Sequence, residues 1–180
     1  MKIAIGLLLL LVLMPFASAQ EEVSAGITPD SFLYSFDKAI ERVSLALAAG
    51  KLKKAEKKLE IANERIAEME KMIDKGNTKF NEELLAEYRL MLDQAEDDVL
   101  SAKDAGQNVA EGEKDIARAT YNSVIVLERV LSKAPSEAQG GLKNAITQST
   151  KNNQRALSRL ERATGQAAGI PEDLAMRRKR

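Results

Sequence analysis

The chain contains no cysteine, no histidine and no tryptophan among its 180 residues. Without cysteine it forms no disulfide, so core burial has to stabilise the fold. Without histidine it lacks the commonest acid-base side chain, and without both residues it lacks the softer ligands of zinc and iron. These absences predict a protein that is not an enzyme, with no catalytic residue, no cofactor and no metal centre.

An excess of positive charge and aromatic side chains are also lacking. Lysine and arginine total 27, as do aspartate and glutamate, and aromatic residues make up 4% of the chain. Nucleic-acid-binding proteins usually carry a basic face, and those that bind single strands add aromatic platforms for the bases. We therefore expect no nucleic-acid partner.

The longest apolar run lies at the N-terminus. Lys2 precedes an apolar stretch over residues 3–16, and small residues follow at Ala17 and Ala19. These are the charged, apolar and small-residue regions of a secretory signal, and the apolar stretch is shorter than the roughly 20 residues of a membrane-spanning helix. The pattern predicts a signal peptide over residues 1–19, cleavage after Ala19, and a secreted or extracytoplasmic protein of the cell envelope. Retention of the segment as an uncleaved anchor is the alternative.

Apolar residues in the rest of the chain recur in alternating steps of three and four, which lays one stripe along a helix. The predicted stripes of the first three helices are Leu33, Phe36, Ile40, Val43 and Leu47; Leu52, Ala55, Leu59, Ala62, Ile66, Met69 and Ile73; and Leu85, Tyr88, Leu92, Ala95, Val99 and Ala102. Short connections between long helices place neighbours antiparallel. The sequence predicts an all-α fold, an up-down antiparallel bundle of about five helices with coiled-coil-like packing. The predicted layout is a signal peptide at 1–19, a linker at 20–28, the bundle at 29–168 and a basic tail at 169–180.

Local signals predict where the helices begin and end. Thr28 is the expected cap of helix 1, with Pro29 at the first helical position. Asn77 and Thr78 are the expected cap of helix 3. Helix 4, from about Val109 to Ala134, is apolar around more of its circumference than the other predicted helices. We therefore expect it to be the most enclosed helix. Left-handed closing residues are expected at three glycines, Gly50, Gly76 and Gly106.

The predicted fifth helix has a polar turn within its apolar stripe, over residues 148–154. Ser149, Asn152 and Asn153 are candidate interaction residues in this turn, because a polar residue in a helix interface binds a partner or fixes the register of the bundle. The alternative is a solvated turn near the end of the bundle.

Two basic runs are further candidate surfaces. The first lies at the junction of helices 1 and 2 and contains Lys51, Lys53, Lys54, Lys57 and Lys58. The second ends the chain with Arg177, Arg178, Lys179 and Arg180. The terminal run is a candidate for peripheral contact with an anionic membrane, where each basic residue contributes about 1 kcal/mol. A solvated tail is the alternative.

Two acidic groups are candidate cation ligands. The first is a row on helix 2 at steps of four, Glu56, Glu60, Glu64 and Glu68. The second lies on helix 3 and contains Asp93, Glu96, Asp97 and Asp98. Carboxylates bind Ca²⁺ and Mg²⁺, so weak divalent-cation binding is one hypothesis. Basic residues three positions from the acids of helix 2 favour the alternative, a solvated face of ion pairs.

Two stretches of the chain resemble a known family. Residues 26–34 contain the tripeptide Pro-Asp-Ser before helix 1, and residues 135–146 are followed further on by Ala156 and Leu157. They resemble the entry motif and the last-helix pattern of a family of exported archaeal and bacterial proteins known as a domain of unknown function. The resemblance extends over roughly residues 26–163 and implies an exported helical domain without a catalytic residue.

These patterns predict a non-enzymatic helical bundle that acts as an interaction or structural module at the cell surface, with an unidentified protein or envelope polymer as its partner. The alternative is a carrier or chaperone-like binder of an apolar ligand between helices, lined by Met69, Met72 and Met91. Plain core filling is the other interpretation of these methionines. An enzyme that uses carboxylates alone is a third hypothesis. The oligomeric state does not follow from the sequence.

Overall fold

A computed structural model of the chain describes residues 25–165. Within this range the backbone forms five α-helices and no strand, and adjacent helices pack antiparallel. This arrangement confirms the predicted all-α antiparallel bundle. The helices are α1 (Tyr34–Leu47), α2 (Lys51–Asp74), α3 (Asn81–Asp104), α4 (Ala110–Lys133) and α5 (Ser136–Thr164). The predicted signal peptide and the predicted basic tail lie outside the described residues.

Glycine ends two of the helices as predicted. Gly76 has a φ of 71°, and its N–H donates to the Ile73 carbonyl at 2.8 Å, while the Asn77 N–H donates to the Met72 carbonyl at 2.9 Å. These bonds satisfy carbonyls at the end of α2, and glycine adopts a positive φ without a steric penalty. Gly106 closes α3 in the same way, with a φ of 77°. Gly50 instead combines a φ of 84° with an extended ψ of 167° and precedes α2, so the prediction is wrong for that position.

The predicted start of helix 1 is wrong. Helix α1 begins at Tyr34, with Leu33 at the cap position and no side-chain cap. Thr28 begins a turn in which its carbonyl accepts from the Ser31 N–H at 2.9 Å, and its hydroxyl donates to Asp30 at 2.5 Å. The Thr28 side chain therefore stabilises the turn before the helix and is not available as its cap.

The predicted start of helix 3 is wrong for a similar reason. Helix α3 begins at Asn81 and has Phe80 at its cap position. The Asn77 side-chain oxygen accepts from the Lys79 N–H at 3.3 Å in the preceding turn. Asn77 and Thr78 thus belong to the connection between α2 and α3.

Helices α2 to α5 enclose the core. The stripes predicted for α2 and α3 are buried, apart from the half-buried Leu52 at the start of α2. Met69 and Met72 are fully buried within this core. Helix α4 is not the most enclosed helix, because α2 and α3 each bury ten residues and α4, of the same length, buries nine. Several of its apolar residues, such as Ile125 and Val126, are only half-buried.

Helix α1 differs from the other four because it buries none of its residues. It packs beside α2 at the edge of the bundle. No helix within residues 25–165 is both long enough and apolar enough to cross a membrane.

Candidate interaction surface

Helix α1 and the turn before it expose most of their large apolar side chains. Six large apolar residues have between 43% and 92% of their surface exposed: Phe32, Leu33, Phe36, Ile40, Val43 and Leu47. We call this set the α1 stripe. Five of them, all but Phe32, form the stripe predicted for helix 1, and the expectation that this stripe packs within the bundle is wrong. Single exposed apolar residues are normal on a monomer, but a contiguous apolar patch is typical of a binding surface.

The opposite face of α1 contacts the bundle through charge, and Arg65 of α2 lies at the centre of this contact. The Arg65 side chain is completely buried. Its guanidinium donates to Glu41 of α1 at 2.5 Å, to Glu87 of α3 at 2.7 Å, and to Glu68 of α2. One cation therefore joins three helices. We call these four residues, together with Tyr34 and Lys38 of α1, the Arg65 network.

Tyr34 and Lys38 complete the network from α1. The Tyr34 hydroxyl donates to Glu68 at 3.0 Å, and the Lys38 ammonium is paired with Glu87. The network then contains two cations and three carboxylates. Burial raises the pKa of Glu68 to about 7, against the attraction of the Arg65 guanidinium. A proton on Glu68 balances the charge of the network, so its electrostatic state changes near neutral pH.

A surface groove of about 520 Å³ extends the α1 stripe towards α2. Its lining consists of Ile40, Val43, Ser44, Leu47, Ala48, Ala49, Lys53, Glu56 and Lys57. The charged residues at its rim are already paired, since Lys53 donates to Glu56 at 2.6 Å and Lys57 is paired with Glu60. The groove therefore presents an apolar wall to a binding partner and little uncompensated charge.

The first basic run does not form a free cationic patch. Lys51 and Lys58 both donate to Asp98 of α3, at 2.8 Å and 2.6 Å. Together with the rim pairs of Lys53 and Lys57, these bonds give four of the five lysines an acidic partner. The second run, Arg177 to Arg180, lies outside the described residues, so its membrane contact stays a prediction.

The polar turn of α5 does not interrupt the helix, and part of it lies inside the bundle. Ser149 is completely buried. Its hydroxyl donates to the Ala145 carbonyl at 2.7 Å and lies 2.6 Å from the Tyr88 hydroxyl of α3. The solvated-turn interpretation is wrong for Ser149. Tyr88 is the sequence signal for this contact, because a tyrosine in an otherwise apolar stripe needs a polar partner in the core.

Asn152 and Asn153 also make contacts within the bundle. Asn152 is buried and accepts from the Arg155 guanidinium at 2.6 Å, so the solvated-turn interpretation is wrong for it as well. Asn153 is half-buried and donates to the Ala117 carbonyl of α4 at 2.6 Å. The polar contacts of Ser149 and Asn153 therefore connect α5 to α3 and α4, as a register-fixing layer does.

Several residues of the two acidic groups are paired with basic side chains. The ion-pair interpretation holds for Glu56 and Glu60, whereas Glu68 is buried in the Arg65 network and is not solvated. On α3, Asp98 binds two lysines, and Glu96 lies 3.8 Å from the Arg159 guanidinium. In the part of the chain that the structure describes, no three acidic side chains are grouped as a metal site would require.

Comparison with known proteins assigns the chain to a family. Residues 26–167 match the model of a family described as a domain of unknown function, DUF5667. No curated protein and no solved structure matches the chain significantly. The matched range contains all five helices, the Arg65 network and the α1 stripe, and the chain belongs to the DUF5667 family.

Proposed function

We propose that this protein is an exported, non-enzymatic interaction or structural module that binds a partner at the cell surface through the α1 stripe. Export is proposed from the N-terminal segment, whose charged, apolar and small-residue regions are those of a signal peptide. The observation that carries the binding function is the exposure of six large apolar side chains on one line.

The attachment of α1 supports this function. A surface helix normally turns its apolar face to the core, where burial stabilises it. In α1 the half-buried face is largely polar: Glu41 is held by the buried Arg65, and Lys38 is paired with Glu87. The helix is thereby fixed in an orientation that leaves its apolar side chains accessible to a partner.

The carrier alternative finds less support. Met69 and Met72, two of its three candidate lining residues, are completely enclosed by core neighbours. Met91 is half-buried and packs against the same core. This packing is typical of methionine as a core filler, so we favour the interaction module.

Site-specific photo-cross-linking tests the proposed function. A photoreactive phenylalanine analogue replaces Phe36 on the α1 stripe, and in a matched control it replaces Leu90, an exposed apolar residue of α3. Both proteins are irradiated with the envelope fraction of the native cells. We expect a defined cross-linked product from position 36 that position 90 does not give. Equal products from both positions, or none from position 36, would contradict the proposal.

A further inference from the structure

We propose that the partner of the α1 stripe is a second copy of the chain, and that two α1 helices pair antiparallel about a two-fold axis at Ile40. This inference rests on the proposed function, because it names the partner of the same surface. Four features of the described residues support it: the spacing of the stripe, its symmetry, its charge and its area.

The spacing of the stripe fits a helix as its partner. Leu33, Phe36, Ile40, Val43 and Leu47 alternate in steps of three and four, which is the narrow seam of a two-helix coiled coil. A helix that lies in a lipid surface usually has a wider apolar arc and a basic opposite face. The opposite face of α1 instead carries Glu41, which is held by Arg65. The pattern therefore favours a second helix over a membrane surface.

The stripe is also complementary to itself in the antiparallel direction. With Ile40 opposite Ile40 of the second copy, Leu33 lies opposite Leu47, and Phe36 lies close to Val43. Phe32, the most exposed of these residues at 92%, precedes α1 at the end that meets the groove of the second copy. A two-fold axis repeats each of these contacts, as an isologous interface requires. Each copy supplies aromatic side chains at one end of α1 and an apolar groove at the other.

The charges permit two copies to meet. Of the four charged residues of α1, all of which the structure describes, only Arg42 is exposed. The lysines nearest the groove are paired with Glu56 and Glu60. The α1 stripe and the groove therefore offer little free positive charge for binding to an anionic lipid surface. Without Lys2, residues 20–180 contain 26 basic and 27 acidic residues, so two copies repel each other little.

The exposed area approaches the size that a specific dimer needs. A fully exposed aromatic side chain presents roughly 150 to 250 Å² and an aliphatic one somewhat less, so the six residues expose on the order of 700 Å². A standard interface buries about 800 Å² on each partner. The groove residues outside the stripe, such as Ser44, Ala48 and Ala49, add to this area.

Sedimentation and cysteine cross-linking test the dimer. We use the chain from residue 20 to residue 180, which retains every described helix and core contact. We expect a concentration-dependent dimer. Ile40→Glu places two carboxylates at the two-fold axis and weakens the dimer by at least about a hundredfold. Leu90→Glu makes the same change at an exposed leucine outside the stripe and leaves the dissociation constant unchanged.

The direction of pairing is tested by single cysteines, since the chain has none of its own. Under mild oxidation Ile40→Cys should form a disulfide-linked dimer, whereas Leu33→Cys alone should not. Two copies of position 33 lie about 20 Å apart in the antiparallel pair, given a rise of 1.5 Å per residue. A mixture of Leu33→Cys and Leu47→Cys should link. Equal self-linking at positions 33 and 40 indicates parallel pairing and overturns the proposed register.

The outcomes separate this inference from the proposed function. A chain that stays monomeric at hundred-micromolar concentration, with no link at position 40, overturns the dimer. If that monomer floats with vesicles of phosphatidylcholine and phosphatidylglycerol in an Ile40-dependent manner, the occupant is a lipid surface. If it instead cross-links from position 36 to another envelope component, the proposed function stands without the dimer. A monomer with neither activity contradicts both proposals.

Discussion

Helices α1 and α2 are neighbours with the same three-four spacing of apolar side chains, yet α2 buries its stripe and α1 exposes its own. Ile66 of α2 is 1% exposed, whereas Ile40 of α1 is 54% exposed. The difference comes from the polar contact between the two helices. Arg65 of α2 offers a buried cation, and Glu41 of α1 binds it from the polar face of α1. A buried charge that needs partners can therefore decide which face of an amphipathic helix is turned inward.

The largest expected effect comes from removing the cation that holds α1. Arg65→Met leaves Glu68 buried beside Glu41 and Glu87 without its guanidinium. We expect the free energy of unfolding to fall by about 3 to 5 kcal/mol at mildly alkaline pH, above the pKa of about 7 that Glu68 has in the wild type. We also expect the amides of α1 to lose protection from hydrogen exchange before those of α2. Urea unfolding and hydrogen exchange measure the two effects.

Arg129→Met is the matched control for that change. Arg129 makes an exposed ion pair with Glu70, with nitrogen–oxygen distances of 2.5 and 2.7 Å. Exposed pairs contribute about 1 kcal/mol or less. An equal loss of stability in the two variants would show that the Arg65 network does not hold α1.

Matched isoleucine truncations compare the two stripes directly. Ile66→Ala creates a cavity in the core and should lower the free energy of unfolding by about 2 to 5 kcal/mol. Ile40→Ala removes an exposed side chain and should change it by no more than about 0.5 kcal/mol in the dissociated chain. Urea unfolding at low protein concentration measures both values. A large loss from Ile40→Ala under these conditions would mean that the chain itself covers the α1 stripe.

The pH dependence of stability tests the charge balance of the network. Burial raises the pKa of Glu68 from the usual 4.5 to about 7, so between these values the folded state binds more protons than the unfolded state. Its contribution to stability is then present at acid pH and lost as the pH rises through 7. We expect this to lower the free energy of unfolding by about 2 to 3 kcal/mol between pH 5 and pH 8.

Glu68→Gln isolates that contribution, because glutamine cannot ionise while its amide still accepts from Arg65 and donates to the Tyr34 oxygen. Other carboxyls with raised pKa values, such as Glu64 and Glu113, remain in both proteins. The variant should lose less stability than the wild type between pH 5 and pH 8. Parallel stability curves would show that Glu68 is ionised throughout this range.

Periodicity predicted the helices well because it depends on short-range spacing. The stripes of α2 and α3, the all-α class and the positions of two closing glycines all follow from residues within one or two turns. The orientation of α1 does not follow from spacing, because it depends on contacts between Glu41, Arg65 and Glu87, which are distant in sequence. The sequence places Arg65 three residues before Glu68, but nothing in that spacing indicates that the pair is buried.

The polar turn of α5 shows the same limit of prediction from sequence, here for polar residues that are buried. A run of polar residues favoured a solvated surface, yet Ser149 is buried because Tyr88 of α3 supplies a hydroxyl in the core. Asn153 similarly finds a backbone carbonyl on α4. Such partners are set by how the helices face one another, so the sequence of one helix alone does not reveal them.

Thiol labelling of one matched valine pair tests most directly the claim that α1 exposes its apolar stripe. Val43 on α1 is 58% exposed and Val99 on α3 is 1% exposed, and the chain has no other cysteine to react. With maleimide in native buffer at high dilution, we predict that the cysteine of Val43→Cys reacts at nearly the rate of an unfolded thiol. We predict that Val99→Cys reacts only through unfolding. Equal protection of the two cysteines at high dilution would contradict the account, since it would place the α1 stripe inside the monomer.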